Sequence, residues 1–221
     1  DNSLQHALLD FKTHRNKWYV TTDNDGNHLL HGEIYYLYVC KWNDDYNEYD
    51  AMYMYKRQDL MSKDEFDFGS QQLLIGLSTC QNIHSLLDFG SGLGIVGIIA
   101  NKALHIGHVD GVEINPRALA LANENAKTNQ SDAHFVLSDG FEKVNQKYDC
   151  IISNPPIRVG KEKLYAWYRQ ALNYLNDNGI LLLVVRVQQG AKSTINYCET
   201  LYSKVEILHK KKGFVVFACY K

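Results

Sequence analysis

Long hydrophobic runs are missing from this chain. Its most apolar stretch, Ile180 to Val185, is the size of a strand. That is far short of the roughly 20 residues that cross a bilayer as a helix, so no transmembrane helix is expected. Asp1 to Asp10 is polar and shows no signal peptide, which points to a cytoplasmic protein. Cysteine is scarce and scattered. Cys40, Cys80, Cys150, Cys198 and Cys219 are odd in number, and no pair has zinc or thioredoxin spacing. They read as reduced, mostly buried thiols rather than a disulfide framework or a metal site. The nine histidines show no ligand spacing either. Proline occurs only three times, as Pro116 and the adjacent Pro155 and Pro156, so each carries positional meaning.

The chain has 221 residues, 45% hydrophobic and 22% charged. This suits one globular domain of the doubly wound kind with a small appendage. The net charge of −2 is spread unevenly. Residues 1–70 hold 7 Lys and Arg against 13 Asp and Glu, residues 71–150 hold 5 against 8, and residues 151–221 hold 11 against 4, a local balance of +7. The basic carboxy-terminal third either attracts a phosphate backbone or is a solvated charged surface.

Residues 1–65 are rich in Tyr, Asp and Asn and read as a β-rich extension. Strands are expected over Lys17–Thr22, Glu33–Trp42 and Asp50–Arg57, with a turn at Asp25-Gly26-Asn27. From residue 66 to 221, strand and helix alternate. Strands are expected at His84–Phe89, His108–Ile114, Ala133–Leu137, Tyr148–Ser153 and Ile180–Val187. Helices are expected at Leu93–Ala103, Pro116–Lys127, Glu162–Leu175 (stopped by Asn176-Asp177-Asn178-Gly179) and within Gly190–Tyr202. Val205–His209 and Phe214–Tyr220 close the chain as a hairpin around Lys212-Gly213. Such alternation means a mostly parallel sheet with helices on both faces, here with an antiparallel edge.

Two segments carry chemistry. The first is Asp88-Phe89-Gly90-Ser91-Gly92-Leu93-Gly94, where a strand runs through an acid into a glycine-rich turn and a helix. Glycines let the backbone approach a ligand and take positive φ. Gly92-x-Gly94-x-x-Gly97 also fits the dinucleotide fingerprint, but Asp88 at the strand end suits S-adenosylmethionine (AdoMet), whose methionine amine is cationic. Glu113, closing the next strand, either accepts from both ribose hydroxyls or serves as a charge at a helix N-terminus. Asp139 either receives the adenine amine or shapes a turn.

The second segment is Ser153-Asn154-Pro155-Pro156-Ile157, directly after a buried strand. Two prolines lock the backbone and remove two donors. What remains is a pair of fixed acceptors, the Asn154 side-chain carbonyl and the Pro155 main-chain carbonyl. They can hold both hydrogens of an amine and aim its lone pair at an activated methyl, so catalysis is mainly positioning.

With the glycine turn, three segments resemble the methyltransferase small domain family, which includes the ribosomal RNA small-subunit methyltransferase C type. They are Ser62 to Gln71, Ser153 to Lys161 and Gln189 to Ser193. The resemblance covers residues 60–221 and is nearest to the short, single-domain members. It implies a Rossmann-like class I fold, a seven-stranded sheet, AdoMet as cofactor and methylation of a base amine, most typically the guanine 2-amino group of ribosomal RNA. It places Asp88, Gly90, Gly92 and Gly94 on AdoMet, Glu113 on its ribose and Asn154, Pro155, Pro156 and Ile157 at the target amine. It also brings the Asp67–Ser70 turn near the active site. Ile157 stands where many amine methyltransferases have Phe or Tyr. Lys161 and Lys192, after strand carboxyl ends, are the basic groups expected to face the substrate; Lys210-Lys211-Lys212 is a weaker candidate. Tyr35, Tyr36 and Tyr38 either stack on bases or pack a small core. The alternatives are a protein glutamine methyltransferase and a nucleotide-binding module without chemistry.

Overall fold

The computed structural model describes residues 68–156 and 159–221 in full and, before them, the backbone of four strands. Those strands are β1 (Thr21–Thr22), β2 (His28–Leu29), β3 (Tyr35–Asn43) and β4 (Glu48–Arg57). β1 pairs with β2 and β3 with β4, both antiparallel. The side chains of Tyr35, Tyr36 and Tyr38 lie outside the described residues, as do Asp67 and Ile157.

The rest alternates: α1 (Phe68–Thr79), β5 (Ser85–Phe89), α2 (Ile95–Ala103), β6 (His108–Glu113), α3 (Pro116–Thr128), β7 (His134–Leu137), β8 (Tyr148–Ser153), α4 (Lys161–Ala171), β9 (Leu175–Arg186), α5 (Ala191–Glu199), β10 (Lys204–Lys211) and β11 (Phe214–Tyr220). The seven strands from β5 onward form one sheet in the order β10-β11-β9-β8-β5-β6-β7. All neighbours from β9 to β7 are parallel; β11 runs antiparallel to both β9 and β10. This is the Rossmann-like arrangement expected from the alternation.

The central strands bury both faces, as parallel strands between helices must. Successive side chains point to opposite faces. Leu86, Ile152, Leu182 and Val184 join a core under α1, α2 and α3. Leu87, Ile151, Leu181 and Leu183 join the other, under α4 and α5. The last strand, β11, takes the inner place and β10 the edge. Phe214 to Cys219 are all buried, whereas most of β10 is exposed or half-exposed, so only β11 gains from two flanking strands.

The short strand β2 lies outside the strands expected in the extension, and two elements of the α/β part also differ from expectation. Phe68–Ser70 begins a helix rather than sitting in a turn. Gly69 and Gly76 lie inside that helix and weaken its intrinsic propensity. Yet a Cβ on Gly76 would come within 2.6 Å of Val216 Cγ1, so the glycine is what lets α1 lie close on β11. The second difference is at Asn176–Gly179. Helix α4 ends at Ala171, a short 3₁₀ turn follows over Leu172–Tyr174, and β9 already begins at Leu175. Tyr148 pairs with Leu175, but Cys150 pairs with Ile180, so the polar tetrapeptide bulges out of the ladder. Asn176 Nδ2 donates to Asp149 Oδ1 at 2.7 Å and anchors that bulge.

Candidate active site

The site forms at the carboxyl ends of β5, β6 and β8, where the strand order turns outward in both directions from β5 and leaves a crevice. After Phe89 the chain turns sharply. The N–H groups of Gly90 and Ser91 both donate to Val112 O on β6, at 2.9 and 3.0 Å. Gly90, Gly92 and Gly94 have φ of 76°, 56° and 75°, the left-handed region that side-chain-bearing residues avoid.

The three glycines divide into two kinds. Nothing lies within 4 Å of where a Cβ would stand on Gly90 or Gly92, so the backbone there lines an open cradle that a ligand can approach. Gly94 is buried, and its Cβ position falls 2.8 Å from Phe135 Cζ and 3.0 Å from Ala122 Cβ. Its place is in the packing of α2 against α3 and β7. The N-terminus of α2 faces the cradle, an arrangement that favours negative ligand groups.

Asp88 sits beneath this loop. It is 4% exposed, and its Oδ2 accepts from Gly97 N–H at 2.9 Å. Burial pushes its carboxyl up to about 7; the Gly97 hydrogen bond opposes the rise and the Glu113 charge adds to it. Asp88 thus pins the first turn of α2 to the end of β5.

Glu113 faces the same cradle from the end of β6. Its Oε2 accepts from Gly92 N–H and its Oε1 from Asn115 N–H, each at 2.8 Å. Asn115 caps α3, its Oδ1 accepting from Arg117 N–H at 2.9 Å, with Pro116 at the first helical position. Glu113 thereby ties the glycine loop to the α3 cap. Asp139, two residues past β7, is exposed and pairs with Lys163 at 3.2 Å.

Ile114 and Leu137 were not singled out in the sequence, yet they are 60% and 49% exposed at the ends of β6 and β7. Ser138 N–H donates to Glu113 O at 3.0 Å, so the two strand ends are held side by side. Two large apolar side chains exposed beside the cradle suit the face of a flat ring. The signal that would have found them is position, the residue after each strand-end acid or before each turn.

At the end of β8, Ser153 Oγ donates to Phe89 O at 2.8 Å. That bond joins the start of Asn154-Pro155-Pro156 to the start of the glycine loop. Asn154 and Pro155 are half-buried and Pro156 is exposed. Asn154 Nδ2 donates to Ser70 Oγ at 3.2 Å, so α1 brings Ser70 to the amide. Below them, Phe89, Phe141, Ser153, Pro155 and Trp167 line a small apolar recess. Phe89 packs edge-on to Trp167, with ring centroids 5.3 Å apart.

Lys161 and Lys192 open α4 and α5 and are exposed. Tyr165 connects the two helices. Its hydroxyl donates to Ser193 O at 2.8 Å, its ring stacks on Tyr197 at 3.9 Å, and Lys161 Nζ lies 5.2 Å from that ring. Among the described residues, no cluster of His, Cys, Asp and Glu is arranged to hold a metal, and no helix is long and apolar enough to cross a membrane.

The family model described as methyltransferase small domain matches residues 51–218. An uncharacterised protein of Bacillus subtilis is 33% identical over 165 residues, covering 73% of this chain and 82% of that protein. Ribosomal RNA small subunit methyltransferase C of Photobacterium profundum is 34% identical over 152 residues, 66% of this chain but 42% of that protein. The release factor glutamine methyltransferase of Lactococcus lactis is 29% identical over 151 residues, 57% of this chain and 56% of that protein. The chain thus spans about half the length of these two named relatives. Among solved structures, a Thermus thermophilus 16S rRNA N2 methyltransferase in complex with AdoMet and guanosine superposes with a TM-score of 0.67 at 19% identity, over 87% of this chain and 52% of that one.

Proposed function

The chain belongs to the methyltransferase small domain family and uses AdoMet; from that premise we propose that it methylates an exocyclic base amine in RNA, the guanine 2-amino group of ribosomal RNA being the foremost candidate. One observation carries the proposal. The Ser153–Phe89 hydrogen bond of 2.8 Å sets Asn154-Pro155-Pro156 beside the glycine cradle, which supports a reading in which amine acceptor and cofactor loop share one crevice.

The open backbone at Gly90 and Gly92 and the Glu113 carboxylate fit AdoMet. Gly90, Gly92 and Glu113 would hold it, with Ile114 and Leu137 against its ring system. AdoMet supplies a methyl group on a positive sulfur. The protein's task is then to hold the amine in line and to disperse the charge it gains. Ser70 accepts from the Asn154 amide nitrogen and turns the amide, while the Pro155 carbonyl is fixed by its ring. The Asn154 side-chain carbonyl and the Pro155 carbonyl would bind the amine hydrogens and direct the lone pair at the methyl group. The apolar recess behind Pro155 keeps water from the nitrogen.

The basic carboxy-terminal third supports RNA over a protein substrate. A second reading, transfer to a protein glutamine amide, is favoured by the release factor methyltransferase relative, since the same acceptors suit an amide nitrogen. The test is methyl transfer from labelled AdoMet to ribosomal RNA from a strain lacking the protein, with unmethylated release factor in parallel. Label in a guanine of the RNA supports the proposal. Label in the release factor alone overturns it.

A further inference from the structure

We infer that Arg186 and Lys212, seated on the touching rings of Phe68 and Phe214, grip the phosphate backbone of the RNA beside Asn154; this rests on the RNA reading above. Arg186 ends β9, next to the strand that ends at Ser153, and it pairs in the ladder with Phe214. Its guanidinium carbon lies 4.6 Å from the Phe214 ring centroid. Lys212 Nζ lies 5.4 Å from the Phe68 centroid. The two rings meet at 5.5 Å, which makes one platform with a cation on each half. Phe68 stands two residues before Ser70, the partner of Asn154. Arg186 lies three residues past Leu183, the ladder partner of Ser153, so the platform and the amine site stand at the same end of the sheet.

Two further facts argue that these charges are held for a ligand. Both side chains are exposed, and among the described residues no carboxylate pairs with either one, whereas Lys163 and Lys204 do have acidic partners. A cation–π contact fixes a cation in place but leaves its charge unneutralised. The second fact is the backbone. Lys211 pairs with Phe214, so Lys212 and Gly213 form a two-residue hairpin turn, with φ of 46° and 78°. Such turns prefer Asn followed by Gly. A lysine in the left-handed region is unfavourable there, and strain of this kind concentrates at functional sites. On the opposite face of the sheet, Lys161 is another exposed cation set on a ring, that of Tyr165; it and the platform would flank the crevice.

The experiment measures binding of a fluorescein-labelled single-stranded RNA of about 20 nucleotides by anisotropy across a potassium chloride series. The parental protein is compared with Lys212→Asn, with the double variant Arg186→Gln/Lys212→Asn, and with Lys102→Gln at the other end of the sheet. Each protected phosphate contributes about 0.7 to the slope of log affinity against log salt for a single strand. The double variant should lose about 1.4 of slope and bind at least tenfold more weakly at low salt, while Lys102→Gln keeps the parental line. Lys212→Asn should melt no lower than the parental protein, because Asn tolerates the turn, and still bind RNA more weakly. A merely structural lysine would show neither. Parental slope and affinity in the double variant, with parental RNA binding intact, overturn the grip and leave the RNA reading standing. If the parental protein binds no RNA and methylates release factor, both fall together.

Discussion

Asn154 and Ser70 are 84 residues apart in the chain, and the Asn154 amide nitrogen donates to the Ser70 hydroxyl at 3.2 Å. The bond orients the amide that would hold the target amine, so the two residues should act unequally. Asn154→Ala should lower turnover about a hundredfold, through lost orientation, with AdoMet affinity unchanged. Ser70→Ala should lower kcat less, about tenfold, since the amide stays but turns. Single-turnover kinetics and calorimetry separate these effects. An Asn154→Ala enzyme working at the parental rate would remove the amine-orientation mechanism.

Glu113 accepts from Gly92 and Asn115 at once. Glu113→Ala should weaken AdoMet by about 1.5–3 kcal/mol, the range for hydrogen bonds to a charged group. It should also lower the melting temperature, because two backbone N–H groups lose their acceptor. Glu113→Gln should recover part of the stability and little of the affinity. Unchanged affinity of the Ala variant in calorimetry would take Glu113 out of the site.

The glycines should separate binding from folding. Gly92→Ala meets open space but a φ of 56°; it should cost about 1–2 kcal/mol of stability and strongly impair AdoMet binding. Gly111→Ala would put a methyl 2.3 Å from Phe135 Cδ1 on β7. It should destabilise by about 1–3 kcal/mol through overpacking while the folded fraction still binds AdoMet. Denaturant titration beside calorimetry reads both.

Asp88 carries a pH signature. Its carboxyl is raised from 3.8 to about 7 in the folded protein, so between those values the native state holds a proton that the unfolded chain has lost. The stabilisation is complete below the unfolded value and is lost as pH rises through about 7, by up to about 1.4 kcal/mol per pH unit. Asp88→Asn stays neutral and can still accept from Gly97. The stability difference, parental minus variant, should therefore fall from pH 4 to pH 7 and be flat above it. A difference that does not change over that window would show that Asp88 is not buried as a neutral acid.

Much of this protein was already present in its sequence. The apolar strands at Leu86–Phe89, Ile151–Ser153 and Ile180–Val185 call for both faces to be covered, and the glycines at 90, 92 and 94 permit the left-handed turns found there. Pro116 marks a helix start by its missing N–H. These are local demands, met within a few residues, and they define an α/β domain with a glycine-rich loop and an Asn-Pro-Pro segment. Other features were settled by tertiary contact alone. Helix α1 has glycines that argue against it locally, and it exists because Gly76 fits against Val216. Leu175 joins β9 because Tyr148 offers it a partner. Asp88 becomes a buried loop anchor, and Glu113 a tie between loop and cap, through partners that no local pattern names. Ser70 reaches Asn154, and Arg186 and Lys212 reach one pair of rings, only once the sheet has assembled. Spacing along a chain determines which face a residue takes; which distant residue it meets there depends on packing of the whole.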